Sequence, residues 1–338
     1  MTVTFGGLAR WLTRSLGLAS LGLASLGLAS LLCASAALAQ DYPTRPITLL
    51  VPQAPGASSD LLARTLGERL QAAWGQPVVI ENRPGAGGNV GATLVARAAP
   101  DGYTLMIGTD AIMTSNVHLY KSMPFDPVKD LAAVAMAGAN IICLAVNSDV
   151  PVKTVAELIA YAKANPGKLK YGTPGAASPH HLSGELLALK TDIEIVHVPY
   201  RGGGPATNDL IGGHIPMAFL SLSSAVPQLS TGKIRIVGLV EKTRYAAMPD
   251  VPTVGETVPG FEMSSWLGVF APAAVPAPLI ARQSETITKI FNDPPVKEKL
   301  ATLGLVVTPM SPVAMTEMIK AGIETRGALI KAANIQPQ

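Results

Sequence analysis

Four stretches of this 338-residue chain set glycine beside hydroxyl, histidine or arginine side chains. The first is Gln53-Ala54-Pro55-Gly56-Ala57-Ser58-Ser59-Asp60, and the second is Arg83-Pro84-Gly85-Ala86-Gly87-Gly88-Asn89. The third is Gly172-Thr173-Pro174-Gly175-Ala176-Ala177-Ser178, with His180-His181 behind it, and the fourth is Tyr200-Arg201-Gly202-Gly203-Gly204-Pro205. Glycine lets backbone N–H groups come close to a ligand. A helix starting at such a loop adds unpaired N–H groups and the positive end of its dipole. Anion binding is the chemistry these stretches suit best. An ordinary strand-to-helix connection uses the same residues with no ligand, and it is the recurrence of the device that favours a site.

Other chemistries find less support. His180 and His181 are adjacent, so their side chains diverge on a helix. With no histidine at i,i+4 and no cysteine pair, no metal site is expected. His118, His197 and His214 stand isolated, although Asp60, Asp110 and Asp209 could meet histidines in space. There is no G-x-S-x-G elbow, and no S-x-x-K with its S-D-N and K-T-G companions, so no catalytic residue is assigned. Val90 replaces the last glycine that G-x-G-x-x-G requires, and G-x-x-x-x-G-K-[ST] is absent. No cofactor is expected.

The elements that must position these loops follow from hydrophobic patterning. Ile47–Val51 is a short apolar run suited to a buried parallel strand, closed by Pro52. Ser58, Ser59 and Asp60 offer N-cap oxygens to a helix through Leu62, Leu66 and Leu70, with Gly75 as its stop. Strands at 78–80 and 103–107 each lead into a further loop and helix. Thr154-x-x-Glu157 reads as a capping box opening a helix that Asn165-Pro166-Gly167 stops. Strands at 169–171 and 193–198 feed the third and fourth loops, with helices from about His181 and at 206–211. Further strands are expected at 215–219, 234–239 and 266–270, and helices near 278–291, 296–303 and 312–330. Strands alternating with helices predict α/β architecture with doubly wound, mainly parallel sheets, whose ligands sit beyond the strands' carboxyl ends.

Residues 1–39 read as a secretory signal peptide, with Arg10 and Arg14 before an apolar Gly/Ser/Ala-rich tract and Ala37-Leu38-Ala39 as the cleavage site. The mature chain is expected to begin at Gln40 after export. Leu32 before Cys33 disfavours a lipoprotein, and Cys143 alone then remains, too few for an internal disulfide. Without Arg10 and Arg14, 24 basic residues face 23 acidic ones, and no basic run suggests nucleic acid. About 300 mature residues imply two domains.

Longer motifs carry a family resemblance across essentially the whole mature length. They are YPTRPITLLVP-x-x-PG-x-x-SD, GQPVVIENRPGAGGNVGA, APDGYTL, ELIAYAKANPGKLKYGTPG, HVPYRGGGPA, PDVPTVGE and WLGVFAP, in that order. In these the chain resembles the Bug-type periplasmic solute receptors of tripartite tricarboxylate transporters. The resemblance implies a two-domain Venus-flytrap fold of the periplasmic-binding-protein type, with two crossover strands as hinge. Domain 1 would be 40–140 with 266–338, and domain 2 would be 141–265. It also implies a cleft ligand, a small organic carboxylate, passed to membrane permease subunits by a monomeric, non-catalytic receptor. An exported serine hydrolase and a receptor that docks on a signalling protein are the alternatives.

Carried over from the family, the first-domain contacts would be Gln53, Ala54, Pro55, Gly56, Ala57, Ser58, Ser59, Gly85, Ala86, Gly87, Thr109, Asp110 and Met113. The second domain would supply Thr173, Gly175, Ala176, Ser178, His181, Arg201, Gly202, Gly203, Leu220 and Ser221. Many members have an aromatic residue where this chain has Gln53, and a second glycine where it has Ala57. Members that bind amino acids often present an acid near Leu220, where this chain reads Phe219-Leu220-Ser221-Leu222-Ser223. That favours a ligand without a cationic group, either an aliphatic di- or tricarboxylate or an aromatic acid. Backbone donors are expected to matter more than the Arg201 guanidinium, so that valine at Gly203 harms binding more than alanine at Arg201.

Overall fold

The structure, a computed structural model, describes residues 42–337 apart from positions 177 and 262. The expected signal peptide and its cleavage after Ala39 lie outside the described residues. Strand β1 (Ile47–Val51) buries Ile47, Leu49 and Val51 completely against Leu62, Leu66 and Leu70 of helix α1 (Ser58–Trp74). Gly75 ends α1 in the left-handed conformation, φ 67°. The helix start differs from expectation: Ala57 holds the N-cap position with no side-chain cap, and Ser58–Asp60 form the first turn. Asp60 instead reaches back to the Gly56 N–H at 3.0 Å.

The chain continues through β2 (Val78–Asn82), α2 (Asn89–Ala96) and β3 (Thr104–Thr109). A π-helical turn (Ala111–Ser115) then runs into α3 (Asn116–Leu119). β4 (Leu131–Asn140) and β5 (Ile142–Asn147) divide the apolar stretch that the sequence shows as one. Next come α4 (Val155–Ala164), β6 (Leu169–Thr173), α5 (Pro179–Thr191), β7 (Ile195–Pro199) and α6 (Gly203–Ile211). β8 (Met217–Ser221), α7 (Leu222–Ala225), β9 (Ile234–Leu239) and α8 (Val254–Thr257) follow. The chain closes with β10 (Trp266–Pro272), α9 (Ala277–Asn292), α10 (Pro294–Thr302), β11 (Leu305–Val307) and α11 (Pro312–Ala332). The Thr154 hydroxyl caps the Glu157 N–H at 3.1 Å, but Glu157 returns to the Lys153 N–H, so the box is half made. The complete box is at Thr253 and Glu256.

Two sheets result. The first has the order β11-β4-β10-β3-β1-β2, with β10 and β11 running against the other four strands. The second has the order β7-β6-β8-β5-β9, with β5 alone reversed. Helices cover both faces of each. α1, α9 and α10 pack on one face of the first sheet, and α2 with the start of α11 packs on the other. α4 and α5 cover one face of the second sheet, and α6 and α7 cover the other. This is a two-domain, doubly wound α/β fold.

The chain crosses between sheets at Ile141 and again at Ser264-Ser265, just before β10. The crossings are tied together, since the Asn140 N–H donates to Ser265 O at 2.9 Å. Ile141 serves both sides, donating to Gly304 O and accepting from the Leu222 N–H, each at 2.9 Å. Helix α11 adds a third link. Met315 and Ile319 near its start pack on the first sheet, and Ile330 near its end packs into the second sheet's core.

Candidate functional site

A cavity of about 630 Å³ opens between the carboxyl ends of the two sheets. That is where strand-to-helix loops of a doubly wound fold converge. β1 delivers Pro52, Gln53 and Ala54, and α1 brings Ala57, Ser58 and Ser59. Residues 84–88 after β2 and 109–111 after β3 complete the first wall. Opposite them lie Gly175, Ala176 and Ser178 after β6, Arg201, Gly202 and Gly203 after β7, and Ser221 at the end of β8.

Local chemistry fixes each loop. Asp60, 2% exposed, accepts from the Gly56 N–H, from Arg64 and from Asn82, whose Nδ2 also donates to Gln53 O. Burial pushes the Asp60 carboxyl up, but those bonds outweigh it and hold it below the usual range. The second loop is pinned by Asn116, which donates to Gly87 O and Asn89 Oδ1. In the third, the Ser178 hydroxyl donates to Gly175 O at 2.7 Å and accepts from the His181 N–H, capping α5. In the fourth, the Gly202 N–H donates to Pro174 O at 2.8 Å, and φ 123°, ψ 172° at Gly202 belong to a region essentially reserved for glycine. Helices α1 and α6 both begin at the cavity with no side-chain cap. Their first-turn N–H groups are the kind that bind anions.

The floor is a buried polar chain built on the crossings. His180 Nε2 lies 3.1 Å from Ser221 Oγ, which accepts from Asn140 Nδ2 at 3.0 Å. Asn140 Nδ2 also faces Ser265 Oγ at 3.4 Å, and that hydroxyl donates to Asp110 Oδ1 at 3.4 Å. Asp110 Oδ2 lies 3.7 Å from the Arg326 guanidinium of α11. Burial raises the Asp110 carboxyl to about 7, against the pull of Arg326, and drives His180 down to about 3, leaving it neutral. Among the described residues, no group of three or more His, Cys, Asp or Glu side chains is placed to hold a metal. No helix there is long and apolar enough to cross a membrane.

Residues 62–335 match the family described as "Tripartite tricarboxylate transporter family receptor". The chain belongs to that family. The receptor is 34% identical over 281 residues to protein BugT of Bordetella pertussis, covering 82% of this chain and 86% of that one. Its fold is similar to "R. palustris Rpa4515 with adipate", with 35% identity, a TM-score of 0.86, and coverage of 88% of this chain and 100% of that chain. It is also similar to "MatC (Rpa3494) from Rhodopseudomonas palustris with bound malate", at 31% identity and a TM-score of 0.80, covering 86% and 100%.

Most residues expected from the sequence line the receptor's cavity, and six do not. Pro55 and Gly56 lie outside, Gly56 with its N–H held by Asp60. Met113 and Leu220 are buried in apolar cores, because Leu220 points to the face of β8 opposite Ser221. The Thr173 hydroxyl bonds to His197 Nε2 at 2.7 Å. His181 pairs with Glu185 at 3.5 Å and stacks on His197 with ring centroids 3.8 Å apart, so His197 is not isolated either. It is His180 that faces the cavity. Gly203 carries no positive φ, and the strained glycine is its neighbour Gly202. Tyr120, Asn140, Ser224, Ser265 and Leu267 line the cavity unannounced. Asn140 and Ser265 carried one signal, as polar residues abutting long apolar runs.

Proposed function

We propose that this receptor captures a small organic carboxylate in the cavity, in the periplasm, and releases it to the permease subunits of a tripartite transporter. The observation that carries this is the meeting of two helix starts without side-chain caps, α1 and α6, across one cavity. Two similar proteins were solved with adipate and malate, which supports the acid class. The volume admits a chain of adipate's size together with ordered water, or a bulkier aromatic acid. The proposed lobes are 40–140 with 266–338, and 141–265, in a monomer whose mature chain begins at Gln40.

Among the described residues, the Ser221–His180 contact is a serine–histidine pair at the cavity and favours a hydrolase. Its chemistry argues against that reading. An imidazole at about 3 is a poor base for a serine hydroxyl at neutral pH, and its Nδ1 lacks the carboxylate that orients a catalytic histidine.

A thermal-shift screen of aliphatic and aromatic mono-, di- and tricarboxylates, adipate and malate included, tests the assignment. A bound acid at ~100 times its Kd adds about 2.7 kcal/mol. If sugars or cations move the midpoint and no acid does, the carboxylate reading is wrong.

A further inference from the structure

His180 follows the Ser178 cap and Pro179, in the first turn of α5. Consecutive helical residues point about 100° apart, which sends His181 to Glu185 and His197 and leaves His180 for the cavity. It is 6% exposed and neutral, so one ring nitrogen donates and the other accepts. Nε2 meets Ser221 Oγ, while Nδ1 is buried without a hydrogen-bond partner.

The polar chain decides which nitrogen carries the proton. Above pH 7, where Asp110 is ionised beside Arg326, the Ser265 hydroxyl gives its single proton to Asp110 Oδ1. Ser265 Oγ can then only accept from Asn140, which turns the Asn140 amide nitrogen toward both serines. Ser221 Oγ accepts from that nitrogen, so its own proton goes to His180 Nε2. The imidazole proton is left on Nδ1.

We propose that His180 is a specificity-determining residue of the site, its Nδ1–H donating to an oxygen of the bound carboxylate. Asn140, in the crossing between lobes, holds it in that tautomer through Ser221. The assignment rests on the carboxylate reading. His180 lines the cavity with Nδ1 itself covered, so a ligand reaches the N–H by displacing that cover; the contact then selects an oxygen acceptor and rejects an ammonium group, which brings no acceptor to it.

Nitrogen-15 NMR of the wild-type imidazoles at pH 8, without added acid, reads the tautomer directly. Protonated Nδ1 is expected, and protonated Nε2 overturns the proposal. Binding is then measured calorimetrically with the acids of the screen, adipate and malate included. In His180→Asn the amide nitrogen takes the Nδ1 position, and in His180→Gln it reaches the Nε2 position. We expect Gln to weaken binding about tenfold or more and Asn by no more than about threefold. Equal losses in both, with native circular dichroism, overturn the assignment while leaving the carboxylate reading intact. If the wild type takes none of the acids, the carboxylate reading falls and this proposal falls with it.

Discussion

Glu241 follows β9, accepts from the Ile142 N–H, and has Oε1 buried without a hydrogen-bond partner. Burial, with repulsion from Asp110 added, lifts it to about 7. Between its usual value near 4.5 and about 7, the unfolded chain ionises while the folded one keeps the proton. Its contribution to stability is therefore whole below pH 4.5 and lost as pH rises through 7. Glu241→Gln keeps the acceptor and removes the charge. It should stabilise the receptor by about 1–3 kcal/mol at pH 8 and by almost nothing at pH 4.5. Urea melts at both pH values check this, and an equal effect at both would show that burial of charge is not the cause. At this scale the sequence was legible wherever chemistry is local: Gln53, Ser58, Gly85 and Ser178 belong to loops whose own residues define them. The His180–His181 choice was not legible. Starting the helix at His181 instead of Pro179 changes the phase, and only the Ser178 cap fixes it.

The elements show why glycine recurs at the site. Gly202 is the N-cap of α6, its φ and ψ essentially closed to other residues, and the carbon an alanine would add lies 3.5 Å from Ala54 Cβ across the cavity. At Gly203 the added carbon would meet Ser224 Oγ at 2.7 Å, at the end of a side chain that can turn away. The backbone conformation that demands glycine therefore lies at Gly202, one residue upstream of Gly203. Gly202→Ala should weaken acid binding about tenfold, because a strained N-cap misdirects the first-turn N–H groups of α6. Arg201 is exposed at the cavity, and Arg201→Ala should cost about threefold or less. Calorimetric titration of both variants decides; the reverse order would replace the backbone cradle with a guanidinium clamp. Strands and helices were legible because each buries a periodic apolar face, as Leu62, Leu66 and Leu70 do. β11 was missed because Leu305–Val307 is too short to show alternation.

For the whole molecule, the decisive contacts lie far apart in sequence. Asn140, Ser265, Asp110 and Arg326 come from both crossings, from the end of β3 and from α11, and no local pattern brings them together. A ligand touching both walls should stabilise the closed arrangement, so scattering should give a smaller radius of gyration with a saturating acid than without one. Unchanged profiles would count against hinged capture. Arg326 is where α11 meets this hinge: it donates to Ser264 O at 2.5 Å, contacts Met263 Sδ and faces Asp110 Oδ2. The side chains of Arg326 and Asp110 are 12% and 2% exposed, so Arg326→Met leaves a buried carboxylate with its cation gone. Breaking such a pair costs about 3–5 kcal/mol while the carboxylate is charged. Asp110 is raised to about 7 with Arg326 in place, and removing the cation raises it further. At pH 5 the variant's Asp110 is protonated and neutral, and most of the penalty disappears. At pH 8 ionisation is forced in the unfolded chain and opposed in the folded one. Keeping the proton caps that penalty, so Arg326→Met should lose about 1 kcal/mol more stability at pH 8 than at pH 5 in urea melts, with α11 still helical. A loss of equal size at both pH values would mean that Arg326 supports the hinge through Ser264 and Met263 alone, and that Asp110 is not its electrostatic partner.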